Sequence, residues 1–281
     1  MIMICFAANS VITRYLVLVS RVSPFLVTLI RFVSGLLVLL ALVGVRPANF
    51  RPAKMRSSNL LGGFFLGVYA FSISYGYVLI PVAAGTLIFY TAVVMTMVTY
   101  SVINDKERVT IRLGFGLLLG LLGVIAITFS KMSAVTLAGV LLMIATGASW
   151  GLYSVYGRKF DVAFGYTFNS FLILGGFAVV AGLALLYFHE ITLANLSPFD
   201  MGLGLYMGMI STALSYVVWN RTMKQIPAYL GGLVQVIVPV LASIMGIIFL
   251  GEIITTLLVL GGALVLSGIC LVQFKSNSQR Q

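Results

Sequence analysis

Arg14, Arg31, Tyr90 and Gln235 stand out in this chain because each interrupts a long apolar run. A guanidinium keeps its charge and presents a planar fork of N–H donors, so two of them in apolar surroundings favour a carboxylate or phosphate ligand. The hairpin between the first two runs turns near Val22-Ser23, eight or nine residues from each arginine. At 1.5 Å per residue, both then sit roughly 10 Å below the turn, at matching depth. The alternative is snorkelling, in which each aliphatic stem carries its charge to the interface or to carbonyl and carboxylate partners. Gln235 and Tyr90 carry an amide and a phenol that need partners when buried. A solute's polar atoms would supply them, and so would an interhelical hydrogen bond. Trp150, Tyr153 and Ser154 share one helical face, and Ser211, Ser215 and Trp219 share another. Aromatic rings with hydroxyls suit a mid-sized, partly apolar ligand. Trp150 lies too deep for an interfacial aromatic belt; Trp219, near a span end, fits such a belt.

Other patterns point away from catalysis. Gly147-Ala-Ser149-Trp-Gly151 spells G-x-S-x-G, but inside an apolar helical run rather than at a strand-to-helix elbow. The single histidine, His189, falls at the outer end of another run. No phosphate-binding loop and no Cys/His metal cluster is present, so no enzyme activity, cofactor or metal is expected. Cys5 and Cys270 fall within apolar runs and read as unreactive thiols.

The elements that must position these residues follow from composition. Of 281 residues, 61% are hydrophobic and 8% charged, against about 25% charged in soluble domains. Mean hydropathy is +1.14, and the chain is a polytopic all-α membrane protein. Ten spans are expected, over 2–20, 24–45, 59–80, 83–103, 109–130, 134–157, 164–188, 200–222, 228–250 and 253–273. A net charge of +11 raises the question of nucleic acid. The basic residues, however, lie in short loops between spans, where they set orientation, so no nucleic-acid partner is expected. If the chain alternates, thirteen Lys and Arg fall on one side and only Arg21 and Lys131 on the other. The positive-inside rule then puts both termini in the cytoplasm. The chain starts directly in apolar sequence at Met1-Ile2-Met3-Ile4, so a trimmed cytoplasmic tail is expected ahead of it.

The stretch Ile226–Glu252 occurs twice. Subtracting 145 maps Ala228 on Ala83, Gln235 on Tyr90, Glu252 on Glu107, Gly261 on Gly116 and Gly268 on Gly123. One helix upstream, a shift of 141 maps Gly204 on Gly63, Gly208 on Gly67 and Ser215-Tyr216 on Ser74-Tyr75. Five spans per unit is odd, so the two halves, 1–130 and 134–273, enter the membrane from opposite faces, with a tail at 274–281. Glu107 and Glu252 each open a helix, where an acidic cap is expected. Gly116, Gly120, Gly123, Gly261 and Gly268 suit close helix contact. Pro239 frees a carbonyl beside Gln235 and permits a kink.

Two five-helix halves, the Ile226-Pro227…Gln235…Pro239…Gly251-Glu252 pattern and the Gly-rich last helix resemble the drug/metabolite transporter superfamily. Within it, the chain is most similar to EamA-type permeases, which include YddG-like amino-acid exporters. The Trp-Gly often seen early in the first helix of that family is Ala8-Asn9 here. The resemblance implies a central cavity lined by helices 1–4 and 6–9, braced by 5 and 10, and alternating access by rocking. The expected function is export of small zwitterionic or anionic metabolites, such as amino acids. The partners are a small-molecule substrate and the lipid bilayer of a bacterial inner membrane, with the protein a monomer or homodimer. The alternatives are a multidrug exporter of cations, which normally uses a membrane carboxylate, and a sensor or assembly subunit with no transport cycle.

Overall fold

In the computed structural model, which describes residues 1–45, 57–106, 111–128, 135–188 and 196–273, the regular structure is helical. The rods follow in order: α1 (Ile2–Val19), α2 (Pro24–Val45), α3 (Ser57–Leu79), α4 (Val82–Ile103), α5 (Ile111–Thr128), α6 (Leu137–Gly157), α7 (Ala163–Tyr187), α8 (Pro198–Met223), α9 (Ala228–Leu250) and α10 (Thr256–Gln273). Among the described residues, eight of these helices are long and apolar enough to cross a membrane, and α10 contains a shorter apolar helix, Thr256–Gly268. The chain is therefore an integral membrane protein. Its surface carries large apolar side chains such as Leu37, Phe64, Phe177, Val180 and Ile248, while Asn9, Thr28, Arg31, Ser154, Asn220 and Gln235 are buried. Hydrocarbon outside and hydrogen-bonding groups inside is the distribution expected in lipid.

Packing follows the small residues. A Cβ on Gly123 would lie 2.6 Å from the Gly261 carbonyl oxygen, and one on Gly268 would lie 2.4 Å from that of Gly116. The expected α5–α10 glycine contact is thus present, and each half contributes the same residue pair to it. A second pair of contacts repeats as well. Gly63 of α3 faces Ile173 of α7, and Gly204 of α8 faces Ile30 of α2. Helix α6 lies between α3 and α4, and α1 lies between α8 and α9.

Three helices depart from a regular α-helix. Helix α9 breaks at Gln235-Val236. Pro239 has no N–H to give the Gln235 carbonyl four residues back, and that oxygen accepts instead from Val238 N–H at 2.9 Å. The kink expected from Pro239 is there. Wider π-helical turns occupy Tyr15–Val19 in α1 and Met207–Leu214 in α8. Nothing in the spacing of polar residues announced them. In α8 the Ser215 hydroxyl donates to the Ile210 carbonyl, five residues back, at 3.0 Å.

Gly251 ends α9 in the left-handed region (φ +64), a conformation open to glycine at little cost. It turns Glu252 away from α10, whose first turn is capped by Thr255 through Leu258 N–H (3.2 Å). Glu252 does cap a helix N-terminus, but that of α4: its carboxylate accepts from Val82 N–H at 2.8 Å and Ala83 N–H at 3.3 Å. Its repeat mate Glu107 lies outside the described residues, as do Lys131, His189 and the tail.

Candidate functional site

The polar and aromatic residues meet where α1, α2, α3, α6, α8 and α9 converge. Arg31, on α2, is 1% exposed. Its Nε donates to Thr212 Oγ1 and its Nη2 to both the Tyr69 and Tyr216 hydroxyls, each at 2.8 Å. Tyr216 also donates to Tyr69 at 2.9 Å. The guanidinium lies 5.2–5.3 Å from the ring centres of Phe32 and Tyr69. Nη1 is buried and has no hydrogen-bond partner, and neither ion pair among the described residues involves Arg31. A cation in low dielectric without a counter-charge is costly.

The π-helical turn makes this arrangement possible. It lies where α8 passes α2 so closely that a Cβ on Gly208 would fall 1.9 Å from Ser34 Oγ and 2.3 Å from the Arg31 carbonyl. The wider turn shifts the helical face, carrying Thr212 and Tyr216 to Arg31 and turning the Ser215 hydroxyl onto its own helix. Ser211 donates to the Cys5 carbonyl of α1 at 3.2 Å. A strict 100° projection singles out Ser211 and Ser215, and so passes over Thr212 and Tyr216. The signal for Tyr216 was available in its repeat match with Tyr75. For Tyr69 and Phe6 no pattern set them apart from other aromatics.

Trp150 stands beside this group, with ring centres 4.6 Å from Tyr216, 5.2 Å from Tyr69 and 5.4 Å, edge-on, from Phe6. Its indole N–H donates to Gln235 Oε1 at 2.7 Å, and the Gln235 amide donates to the Gly231 carbonyl at 3.0 Å. Tyr153 stacks on Trp150 at 5.6 Å and accepts from Asn220. Ser154 accepts from the Trp219 indole at 3.0 Å. Trp219 is 1% exposed and packs on Phe6, so it belongs to this interior cluster and not to an interfacial belt. Asn9, in the Ala8-Asn9 pair, donates to the Ser211 carbonyl (3.0 Å) and so ties α1 to α8. Tyr90 is buried nearby against Phe89 at 4.2 Å, and it reaches the cluster through the Phe89–Tyr69 contact.

Arg14 does not share a site with Arg31. It donates to the carbonyls of Tyr77 and Val78 and lies 3.7 Å from Glu252. The two arginines at matching depth thus take different partners, and Arg31 is the one left without a counter-charge. Ser149 of the G-x-S-x-G run sits mid-helix, its hydroxyl bonded to the Ala145 and Thr146 carbonyls. Beside α1, on the side away from Phe6 and Asn9, an apolar crevice of about 500 Å³ runs between α1, α8 and α9, past Val11, Tyr15, Tyr206 and Phe249.

The model of the EamA-like transporter family matches residues 1–129 and again 137–274. The chain belongs to the EamA-like transporter family. A Pseudomonas aeruginosa protein, itself described as uncharacterized, is 32% identical, the alignment covering 96% of this chain and 91% of that protein. The uncharacterized transporter YoaV of Bacillus subtilis is 26% identical, over 79% of this chain and 76% of its own. The threonine/homoserine exporter RhtA of Salmonella typhimurium is 30% identical, over 46% and 43% of the two chains. A solved crystal structure superposes with a TM-score of 0.67 at 21% identity, covering 96% of this chain and 95% of that one, which establishes the fold. As in other EamA-like transporters, a small molecule and the lipid bilayer are the partners to account for.

The Trp150–Gln235 bond joins the two halves at the centre of the cluster. Gln235→Leu leaves the buried indole N–H without an acceptor, at a cost of about 1–2 kcal/mol. Trp150→Ala removes the ring on which Phe6, Tyr69, Tyr153, Tyr216 and Trp219 pack. Both variants are expected to insert in the membrane and to transport poorly. Wild-type flux in both would mean that the cluster is packing alone.

Proposed function

We propose that this chain is a secondary carrier for small zwitterionic or anionic metabolites, amino acids first among them, working by alternating access between two inverted five-helix halves. The observation that carries this reading is Arg31, fully buried, with one guanidinium nitrogen unpartnered. A solute carboxylate would give it an acceptor and a counter-charge together. The aromatic rings of Trp150, Tyr216, Tyr153 and Phe6 would take the solute's apolar part. The side chains of the cluster now touch one another, so entry of a solute requires α1, α6 and α8 to shift. The repeated contacts Gly123–Gly261 and Gly268–Gly116, and Gly63–Ile173 and Gly204–Ile30, support halves related by a two-fold axis. The name of RhtA supports amino-acid export over part of the chain.

The test is counterflow of radiolabelled amino acids into proteoliposomes. Uptake of at least one, competed by other carboxylates and not by organic cations, is the expected result; competition by cations alone would overturn the reading. Net flux is expected to follow the substrate gradient and to ignore a protonophore. No Asp, Glu or His lies among the central residues: Asp200 caps α8 and bonds Ser20, Asp105 pairs with Arg158, and Glu252 caps α4. Uphill accumulation driven by an imposed pH step would refute a gradient-driven mechanism.

Both termini are assigned to the cytoplasmic side of a bacterial inner membrane. Arg21→Cys, between α1 and α2, and Asn104→Cys, after α4, are therefore expected to react with an impermeant maleimide from opposite faces. Labelling from one face would discard the inverted arrangement.

A further inference from the structure

We propose that two ion pairs, Arg14–Glu252 and Arg158–Asp105, are latches at opposite ends of the transport path, and that the cycle opens them in turn. This rests on the alternating-access reading above and names the side chains that would carry it out. The two pairs are the salt bridges found among the described residues. In each, the arginine comes from a first-position helix: Arg14 lies in α1 just before its π-helical turn, and Arg158 is the C-cap of α6. Each carboxylate follows a fourth-position helix, Glu252 after α9 and Asp105 after α4.

Each carboxylate also lies beside the capped start of the other fourth-position helix. Glu252 accepts from the first N–H groups of α4. Asp105 accepts from Ser101 Oγ (3.3 Å), the same oxygen that accepts from Tyr229 N–H in the first turn of α9. So the end of each fourth-position helix caps the start of the other, through Glu252 at one end and Ser101 at the other, and an arginine from α1 or α6 pairs with the nearby carboxylate.

The two latches differ in strength. Arg14 and Glu252 side chains are 8% and 12% exposed, and Arg14 also holds the last carbonyls of α3. Arg158 and Asp105 are 3.0 Å apart but 23% and 31% exposed, so water and salt screen them. Opening the Arg14 end requires α1 to leave α3, α4 and the α9–α10 turn together. At the Arg158 end the arginine's ion pair is to Asp105 after α4 alone. The outer-side latch, at the α1 end, is therefore the firmer of the two, and removing it should shift the population further.

The test uses the full chain in a Cys5→Ser, Cys270→Ser background with one probe inside each latch. Thr86→Cys is one turn inside the capped start of α4, and Val98→Cys is one turn inside Ser101; both positions are buried. An impermeant maleimide is applied from each side of oriented vesicles. Glu252→Gln is expected to raise outer-side labelling of the Thr86→Cys probe several-fold and to lower inner-side labelling of the Val98→Cys probe. Asp105→Asn is expected to do the reverse, with the smaller change. Exchanging the charges, Arg14→Glu with Glu252→Arg, is expected to return labelling toward the parent. If Glu252→Gln folds poorly, Arg158→Gln, on the exposed latch, gives the same readout with the sign of Asp105→Asn. Changes of like sign at both probes, or none, would overturn the proposal. Labelling also separates it from the substrate reading. Reciprocal shifts without amino-acid flux would retain the latches and reject that substrate class, whereas flux without reciprocal shifts would do the opposite.

Discussion

Arg31→Met is expected to abolish counterflow of carboxylate solutes while leaving the folded protein as stable as before, or more so. Two terms set the direction. In transport, the solute loses the one buried charge offered to it, and truncating a buried charged partner costs about 2 kcal/mol or more, a loss of roughly 30-fold in affinity. In folding, the empty protein loses a cation that no carboxylate among the described residues neutralises, and replacing an uncompensated buried charge by an apolar chain of similar length is often neutral or favourable. The hydroxyls it leaves behind keep partners: Tyr216 bonds Tyr69 at 2.9 Å, and Thr212 reaches Asn9 Oδ1 at 3.5 Å. Arg31→Lys is expected to rescue little, because one ammonium cannot span Thr212, Tyr69 and Tyr216 as the planar fork does. The measurements are counterflow and thermal unfolding in detergent. A variant that loses stability and transport in step would mark Arg31 as a structural strut.

Gly147→Ala is expected to lower thermal stability sharply, and Gly147→Leu to give no folded protein. A Cβ on Gly147 would stand 2.2 Å from the Phe89 carbonyl oxygen and 2.6 Å from Ala92 Cβ. Both obstacles belong to α4, and one is backbone, so relief requires α6 and α4 to separate. Overpacking of this kind costs about 1–3 kcal/mol for small insertions, and more when backbone must move. Gly202→Ala in α8 is the control, since nothing lies within 4 Å of its Cβ position. It should be neutral or gain up to about 1 kcal/mol from helix propensity. Equal behaviour of Gly147→Ala and Gly202→Ala would remove the close α4–α6 seam from this account. The pair also explains the G-x-S-x-G run: its glycines let two helices touch, since Gly151 meets Thr96 of α4 in the same way.

The amino-acid sequence by itself determined that the chain lives in a membrane and roughly where its helices lie, and it carries a constant residue shift between its two halves. These properties are local or periodic: a span is an unbroken apolar run, and a repeat is a constant shift between residues. Pro239 announced the break in α9 for the same reason, because its missing N–H acts on a carbonyl four residues away. What only the tertiary structure decided are the partnerships. Arg14 and Arg31 look equivalent on paper, and the fold gives one a carboxylate and leaves the other with hydroxyls. Glu252 precedes α10 in sequence but caps α4, because the left-handed turn at Gly251 points it across the bundle. Trp219 lies near the end of a span, and packing against Phe6 and Trp150 buries it. The face of α8 escapes a 100° projection because a wider turn at Met207–Leu214 breaks the register on which such projections rest, handing Thr212 and Tyr216 to Arg31 in place of Ser215. Hydrophobic runs fix what crosses the membrane. Which polar group meets which is set by close helix contacts far apart in sequence, where a burial cost is met by whichever partner the packing brings near.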